Sequence, residues 1–291
     1  MEREYTLGLY EKSMPSDLSW EQKMLSAKAA GFDYIEISID ETDTKLARLD
    51  MSKEERLELV RLMMVTGVPI RSMCLSGHRR YPLGSNDPEV EKRGMEIMEK
   101  AIQLAEDLGI RIIQLAGYDV YYEDSSFETK KRFLKNLKKA THMAEKAGVV
   151  LGFETMETEF MNTVEKAMKY TTLVDSPYLN VYPDIGNITN AAIEYKNDVL
   201  EDMMIGKGHL CAMHLKETVP GKFREIPFGT GHVNFKEAIA LAWQLGIRKY
   251  VTEFWYVGNE NWKEGLVFAH DMFEKMLDEQ MTGKDEKNVE S

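Results

Sequence analysis

Four side chains of metal-binding type stand at or beside the ends of short apolar segments in the second half of the chain. They are Glu154, Asp184, His214 and Glu253. Three carboxylates directed into one site would raise one another's pKa, and a divalent cation removes that conflict. One imidazole with three carboxylates suits Mn²⁺, Zn²⁺, Co²⁺ or Mg²⁺. Singly, each carboxylate is equally typical of a solvated strand end, and His214 of a core histidine; the four in succession favour one shared metal site.

The elements that must position these residues are short strands alternating with helices. The pattern predicts strands over residues 6–10, 34–39, 70–75, 110–116, 149–153, 178–182, 210–215 and 250–254. It predicts helices over residues 20–30, 52–66, 88–108, 127–147, 162–174, 191–205, 235–245 and 262–277. Ser52 and Glu55 form a capping box for the second helix, and Gly67 ends it. Strands that alternate with helices of this length pair in parallel.

Eight strand–helix units predict closure into a (β/α)8 barrel of the α/β class, in a single domain over residues 1–280. A polar, disordered tail is expected over residues 281–291. The alternative is an open doubly wound sheet, which usually carries a glycine-rich phosphate-binding first turn, and the sequence contains neither G-x-G-x-x-G nor G-x-x-x-x-G-K-[ST]. In a barrel the active site lies at the carboxyl ends of the strands, where the four ligand-type residues stand.

Composition excludes several classes of protein. The chain has 291 residues, of which 43% are hydrophobic and 30% charged, with a formal net charge of −12. This is ordinary for a globular protein and argues against nucleic acid as a partner. Cys74 and Cys211 lie in apolar segments and are expected to be buried thiols. With no signal-peptide pattern and no apolar stretch of about 20 residues, we expect a cytoplasmic protein without a membrane partner.

A basic segment follows the third predicted strand. His78, Arg79 and Arg80 are consecutive, and arginine forks bind phosphate oxygens bidentately. Ser76 and Ser85 add hydroxyl donors, so the sequence predicts a phosphate-binding loop, with His78 alternatively contacting a sugar. The other interpretations are an exposed loop paired with the nearby acidic residues at 87 and 89, or a phosphate site at Lys216 or Lys222 instead.

Seven segments carry a resemblance to a known family. ETMETEFM (154–161), YPDIGN (182–187), MHLKET (213–218) and TEFW (252–255) resemble the xylose isomerase-like barrel superfamily. LGLYEK (7–12), SMCLSGHRRYPLGS (72–85) and IQLAGYDVYY (113–122) narrow the resemblance to the L-ribulose-5-phosphate 3-epimerase (L-xylulose-5-phosphate 3-epimerase) family. The similarity runs from about residue 6 to residue 280.

The resemblance implies an enzyme that inverts a ketose phosphate at C3. It implies that one divalent metal ion is held by Glu154, Asp184, His214 and Glu253, and that Glu154 and Glu253 remove and return the proton through an enediolate. It implies interconversion of L-xylulose 5-phosphate and L-ribulose 5-phosphate in pentose or L-ascorbate-type catabolism, by a homodimer. The residues that we expect to contact substrate are His78, Arg79, Arg80, Ser76, Ser85, Asn187 and Lys216.

Two positions depart from relatives that epimerise free ketoses. Those enzymes place a histidine three residues after the aspartate and a second glutamate six residues after the first. Here the two positions hold Asn187 and Phe160. The departure favours a pentulose phosphate over a free hexulose.

Three other functions stay open at this stage. An aldose–ketose isomerase, similar to a hexulose-6-phosphate isomerase, would use the same metal and move hydrogen between C1 and C2. A metal-dependent abasic-site nuclease of the same superfamily needs a histidine-rich cluster and a basic face, which six histidines and a net charge of −12 disfavour. A non-catalytic sugar-phosphate-binding protein would not need two placed glutamates.

Overall fold

Eight short strands alternate with helices in the structure, a computed structural model that describes the backbone of residues 3–289 and the side chains of residues 3–283. The strands are β1 Thr6–Tyr10, β2 Tyr34–Ile39, β3 Ile70–Leu75, β4 Ile112–Ala116, β5 Val150–Glu154, β6 Leu179–Tyr182, β7 Met213–Leu215 and β8 Lys249–Thr252. The helices are α1 Trp20–Ala29, α2 Asp43–Leu46, α3 Lys53–Thr66, α4 Pro88–Leu108, α5 Phe127–Ala147, α6 Val164–Val174, α7 Ile185–Tyr195, α8 Val199–Ile205, α9 Phe235–Gln244 and α10 Trp262–Val289. Short 3-10 helices cover Glu11–Ser13, Ala47–Asp50 and Ser76–Arg79.

All neighbouring strands pair in parallel, in the order β6-β5-β4-β3-β2-β1-β8-β7. Two isolated bridges, Val181↔Leu210 and Asp184↔His214, join the outer strands β6 and β7. The sheet therefore closes on itself, and the predicted single-domain (β/α)8 barrel is confirmed. Among the described residues, no helix has both the length and the apolar character needed to cross a bilayer.

The ring of Tyr34 fills the space beside β1 near the amino end of the barrel. A Cβ added to Gly8 on β1 would lie 2.4 Å from the ring of Tyr34 on β2. The tyrosine ring thus takes the space that a side chain at position 8 would need. Its hydroxyl donates to Tyr250 O at 3.0 Å, which satisfies the buried phenol.

The long helices α4 and α5 begin and end where the sequence predicts. The capping box of α3 is also confirmed, since Ser52 and Glu55 bond reciprocally and Gly67 takes the left-handed conformation. These boundaries were predictable because each is set by local capping chemistry.

One predicted helix, over residues 191–205, is wrong. The structure has two helices there, α7 and α8, and α7 begins six residues earlier, directly after Asp184. The Asp184 carboxylate accepts from Asn187 N and caps α7, whereas Lys196 ends it with a φ of 54°. Asp198 then caps α8.

The last helix also differs from the expectation. A helix ending at residue 277 and a disordered tail over 281–291 were predicted, but α10 continues to Val289. Residues 290 and 291 lie outside the described residues. The domain boundaries at residues 280 and 281 stay a prediction.

A buried ion cluster surrounds Glu11, directly after β1. Its carboxylate contacts Arg48 Nη1 at 2.5 Å, Lys45 Nζ at 2.5 Å and Lys23 Nζ at 3.0 Å, and it accepts from Ser38 N at 2.8 Å. Burial alone would raise the pKa of Glu11, but the three cations outweigh it and hold that pKa far below its usual range. The cluster ties the start of the first loop to β2 and α2.

Glu11→Gln should lower the free energy of unfolding by about 3–5 kcal/mol, because it leaves three buried or half-buried cations without their counter-ion. Urea unfolding at neutral pH measures the loss, with Glu194→Gln on exposed surface as the control. Since the folded pKa of Glu11 is depressed, its contribution is full above the unfolded value, about 4.3, and is lost as pH falls below it. Equal stabilities of the two variants would contradict the role of the cluster.

Candidate active site

The four ligand-type residues meet at the carboxyl end of the barrel. Glu154 is the last residue of β5, Asp184 follows β6, His214 lies in β7 and Glu253 follows β8. One ligand atom from each lies within 4.8 Å of those of the other three, and all four side chains are buried. The structure thus brings together the residues that the sequence predicts to share a site.

His214 is the centre of this cluster. Its Nδ1 lies 2.9 Å from Glu253 Oε2, 3.2 Å from Glu154 Oε1 and 3.9 Å from Asp184 Oδ2. The ring of Tyr182 packs against the imidazole with centroids 4.7 Å apart. One nitrogen of a single imidazole therefore faces all three carboxyl groups.

The other ring nitrogen of His214 is bound by a residue that the sequence analysis missed. Glu36, on β2, places Oε1 2.6 Å from His214 Nε2, and both side chains are fully buried. Ser72 Oγ and Tyr182 OH donate to Glu36 Oε2 at 2.7 and 3.0 Å. A carboxylate behind the histidine fixes the tautomer and the ring orientation, as in many metal sites. Nδ1 is thereby left to face the cluster.

Two further polar side chains support the carboxylates. Gln114 Nε2, on β4, donates to Glu154 Oε2. Lys216 Nζ lies 2.9 Å from Asp184 Oδ2 and 3.8 Å from Glu253 Oε2. Lys216 is only 4% exposed, so its charge acts on the carboxylates with little screening by solvent.

Burial and mutual repulsion shift the pKa values in different directions. Burial, then the charge of Glu253, raises the pKa of Glu154. Burial raises the pKa of Asp184 well above its usual range, against the opposing effect of Lys216. Burial also opposes ionisation of Glu253, but Lys216 and His214 outweigh it and lower the pKa of that carboxyl.

The donor set fits a divalent cation. Asp184 Oδ2 and Glu253 Oε2 are buried oxygens of the cluster whose close polar contacts are the ion-pair contacts with Lys216 and His214. With Glu36, four buried carboxyl groups face only two basic side chains, His214 and Lys216. An excess of buried carboxylates over cations is unfavourable, and a divalent cation compensates that excess directly.

A small pocket opens above the cluster. It is lined by Glu154 and Glu253 together with Ser76, Arg79, Asn187 and Lys216, which the sequence predicts as substrate contacts. Asn187 Nδ2 donates to Thr155 O at 2.7 Å, and its Oδ1 is buried without a partner. An unpaired amide oxygen at this place is suited to accept from a ligand hydroxyl.

Three predicted substrate contacts lie away from this pocket. His78 is 3% exposed and bonds Gly94 O at 3.0 Å, and burial lowers its pKa to about 4. Arg80 pairs with Asp43 at 2.8 Å on the outer surface, and Ser85 Oγ donates to Glu123 at 2.5 Å.

The reason is the geometry of the 3-10 helix Ser76–Arg79. With three residues per turn, side chains at i and i+3 point the same way, which brings Ser76 and Arg79 to one face. His78 and Arg80 belong to other faces. Sequence proximity alone thus grouped residues that the local backbone separates.

Other residues of the pocket gave no strong signal in the sequence. Glu157 accepts from Tyr118 OH at 2.9 Å and lies 3.4 Å from Arg79 and 3.5 Å from Arg224. Arg224 stacks over the ring of Trp255, with its guanidinium carbon 5.7 Å from the ring centre. Arg224 comes from the long loop after β7, where no motif distinguished it.

The sequence also predicts four aromatic residues at the rim of the site, namely Tyr10, Tyr118, Trp255 and Tyr256. Tyr10 and Trp255 line the pocket, and their rings make an edge contact with centroids 6.1 Å apart. Tyr118 acts through Glu157, to which it donates. Tyr256 lines a neighbouring groove instead.

Fold and site together define a class of protein: the chain is a xylose isomerase-like TIM barrel, and the family profile of that description matches residues 25–274. A D-tagatose 3-epimerase-like protein of known crystal structure has the same fold, with a TM-score of 0.78 over 96% of this chain and 99% of that one. Its sequence is only 17% identical, so it supports the fold alone.

Curated relatives narrow the class. L-ribulose-5-phosphate 3-epimerase UlaE of Escherichia coli (strain 55989 / EAEC) is 46% identical over 256 residues, which are 88% of this chain and 89% of that protein. The protein of the same name from Salmonella paratyphi C (strain RKS4594) is 46% identical over 272 residues, 93% and 94% of the two chains. The chain belongs to the L-ribulose-5-phosphate 3-epimerase family and is an enzyme of the isomerase class. The resemblance stated from the sequence is confirmed.

Glu36→Gln should weaken the binding of a divalent cation by about 10–100-fold, because the amide no longer holds His214 as a charged acceptor does. Calorimetric titration with Mn²⁺ and Zn²⁺ measures this. Ser72→Ala is the matched comparison: it removes a bond to the other oxygen of Glu36, so its effect should be smaller. Unchanged affinity in Glu36→Gln would exclude the cation from the cluster around His214.

Proposed function

We propose that this enzyme is a metal-dependent 3-epimerase that interconverts L-xylulose 5-phosphate and L-ribulose 5-phosphate. The similarity to relatives named L-ribulose-5-phosphate 3-epimerase supports the substrate class. The reaction inverts one carbon beside a carbonyl group. It therefore needs a group that removes the C3 proton and a second group that returns a proton to the opposite face.

One observation carries this proposal, namely the pair Glu154 and Glu253. They stand on β5 and after β8, two strands that are not neighbours in the sheet, and both line the pocket. In the chemistry that we propose, the carboxylate of one accepts the C3 proton and the carboxyl group of the other donates to the planar enediolate from the far side.

The cation would be held by Glu154, Asp184, His214 and Glu253, the set whose ligand atoms lie within 4.8 Å of one another. When bound it supplies Lewis-acid stabilisation of the negative charge that develops on the substrate oxygens. Side chains of the protein bind the substrate and shield it from solvent. Lys216 and the Asn187 amide lie at the same rim and hold the hydroxyl groups, and Trp255 with Tyr10 excludes water.

Glu154→Gln and Glu253→Gln should each lower kcat by about 10²–10⁴-fold at saturating cation, because an amide cannot carry the proton. Glu159→Gln, at an exposed position of the loop that follows Glu154, is the control and should retain activity. Cation affinity is titrated in parallel, so that loss of a ligand is separated from loss of a proton carrier. Near-normal kcat in either active-site variant would remove that residue from the acid–base pair.

Arg79 and Arg224 are the proposed phosphate contacts. Both line the pocket, and both lie near the single oxygen Glu157 Oε1, which sets the two guanidinium groups side by side. Lys12 completes a basic rim and is paired with Asp40. Arginine forks match phosphate oxygens. Of the phosphate-binding loop predicted from the sequence, Ser76 and Arg79 remain candidate phosphate contacts. Arg224 and Lys12 take the place of the other loop residues in this proposal.

Arg79→Gln should raise KM for the sugar phosphate by roughly 10–100-fold, since a lost charged hydrogen bond is worth about 1.5–3 kcal/mol. Arg80→Gln is the matched control, one residue away but paired with Asp43 on the surface, and it should leave KM unchanged. Steady-state kinetics with the phosphorylated and unphosphorylated ketose give the comparison. An equal loss on both ketoses would move the phosphate site elsewhere.

The pocket as it stands has a volume of about 40 Å³. One water molecule needs roughly 10–15 Å³ in the same measure, so a pentulose phosphate does not fit without movement. Phe223 and Arg224 line its outer wall, on the loop after β7. We therefore infer that this loop opens to admit substrate and that Arg224 closes over the phosphate.

One of the two departures from free-ketose epimerases, Phe160, agrees with a phosphorylated substrate. Phe160 packs against Phe133 and Tyr170, at centroid distances of 5.2 Å each, and supplies no carboxylate to the pocket. Glu157 supplies the additional carboxylate instead, and it is engaged with two arginines. The shell that would bind the outer hydroxyls of a free hexulose is thus replaced by a cationic one.

Solvent exchange at C3 tests the function. In D₂O the product should gain deuterium at C3 and at no other carbon, because the proton delivered by the second glutamate comes from solvent. NMR of the product reads this directly. Label at C1 or C2 without label at C3 would show that the enzyme is an aldose–ketose isomerase and not a 3-epimerase. Absence of turnover with Mn²⁺, Zn²⁺ and Mg²⁺ on every pentulose 5-phosphate epimer would favour a non-catalytic sugar-phosphate-binding protein.

A homodimer, a cytoplasmic location and the absence of nucleic-acid and membrane partners stay predictions. They rest on the family resemblance, on composition and on the acidic net charge of −12.

A further inference from the structure

A second cavity lies at the amino end of the barrel, opposite the active site. It is lined by residues at the starts of strands: Thr6 begins β1, Tyr34 begins β2, Arg71 is the second residue of β3 and Lys249 begins β8. Its volume is about 320 Å³, several times that of the pocket above the metal-type cluster. We call it the amino-end cavity.

Three cations converge on this cavity, namely Arg71, Arg111 and Lys249. All three side chains are exposed to solvent. None forms an ion pair or a side-chain hydrogen bond with another of the residues whose side chains are described. The chain has a formal net charge of −12, so three unpaired cations around one concavity make this a positively charged region on a negatively charged protein.

The inner wall adds hydroxyl groups. Ser72 and Tyr182 line the cavity and are buried, and their oxygens already donate to Glu36. Arg71 lies on β3 and Arg111 directly precedes β4, and the backbones of the two residues are joined because Arg111 N donates to Arg71 O at 3.4 Å. Both arginines therefore line the cavity from neighbouring positions of the sheet, and Lys249 lines it from the start of β8.

We propose that the amino-end cavity binds a small phosphorylated anion. Two planar guanidinium groups match the paired oxygens of a phosphate and balance the two charges of a phosphate dianion, and the ammonium of Lys249 adds a further cationic donor. A single carboxylate would leave most of that charge uncompensated. The site is independent of the substrate pocket, since the two share no lining residue.

Calorimetric titrations with inorganic phosphate and with glycerol 3-phosphate test the site and separate the free ion from a phosphate ester. The variant is Arg71→Gln/Arg111→Gln/Lys249→Gln. The control is Lys53→Gln/Lys207→Gln/Lys275→Gln, which removes the same charge from exposed positions elsewhere. Affinity should fall by roughly tenfold or more in the variant and stay at the wild-type value in the control, because each arginine contact is a charged hydrogen bond.

Activity in phosphate-free buffer separates this site from the catalytic one. The variant should keep the wild-type kcat and KM, since none of its three residues lines the substrate pocket. Binding of only one of the two ligands identifies the source of the phosphate and supports the site. Equal affinities of variant and control, or no binding by the wild type, would overturn it. Succinate binding as tightly as phosphate would also overturn it, by showing an unselective basic patch.

Discussion

The site depends on the hydrogen bond between His214 Nε2 and Glu36 Oε1, 2.6 Å long and fully buried. A buried imidazole must have both nitrogens satisfied, and this bond uses Nε2, so that Nδ1 faces Glu154 and Glu253. The buried charge of Glu36 is in turn stabilised by His214 and by hydrogen bonds from Ser72 and Tyr182. Tyr182 also needs space beside β5. A Cβ on Gly152 would lie 2.8 Å from Cys211 Sγ and 3.0 Å from Tyr182 Cβ, which explains why a glycine stands at that point of β5.

The pairing that closes the barrel also positions residues of this cluster. β6 and β7 are joined by isolated bridges rather than a continuous ladder, and one bridge pairs Asp184 with His214. Asp184 has two tasks there: Oδ1 accepts from Asn187 N at 2.7 Å and caps α7, which leaves Oδ2 for Lys216 and the cluster. The cap fixes the carboxylate's rotamer before any ligand arrives, and a ligand held in place by its own helix is preorganised for binding.

The sequence was sufficient to predict the site residues at the strand ends, but it was not sufficient to predict those inside the barrel. Glu154, Asp184 and Glu253 follow apolar segments, and parallel topology alone brings such positions to one end of a barrel. Glu36 lies inside the strand Tyr34–Ile39, where alternation does not say whether a polar residue faces solvent or the barrel's centre. Arg224 was missed for a different reason, because a long loop has no periodicity from which its direction follows. The predicted phosphate loop did not allow for the 3-10 helix, which brings Arg79 to the pocket while His78 is buried against Gly94 and Arg80 pairs with Asp43 on the surface.

The polar residues inside the barrel affect its stability. TIM-barrel interiors are usually filled by bulky apolar side chains, yet here Ser72, Glu36 and His214 form a continuous chain of hydrogen bonds. Ser72 is part of the wall of the amino-end cavity, whereas Glu253, 2.9 Å from His214 Nδ1, is part of the wall of the catalytic pocket. Buried charge of this kind is often less stabilising than apolar packing of the same volume. The buried charge is explained if the orientation of His214 matters more than stability. An apolar core would leave the imidazole free to turn its Nδ1 away from the carboxylates.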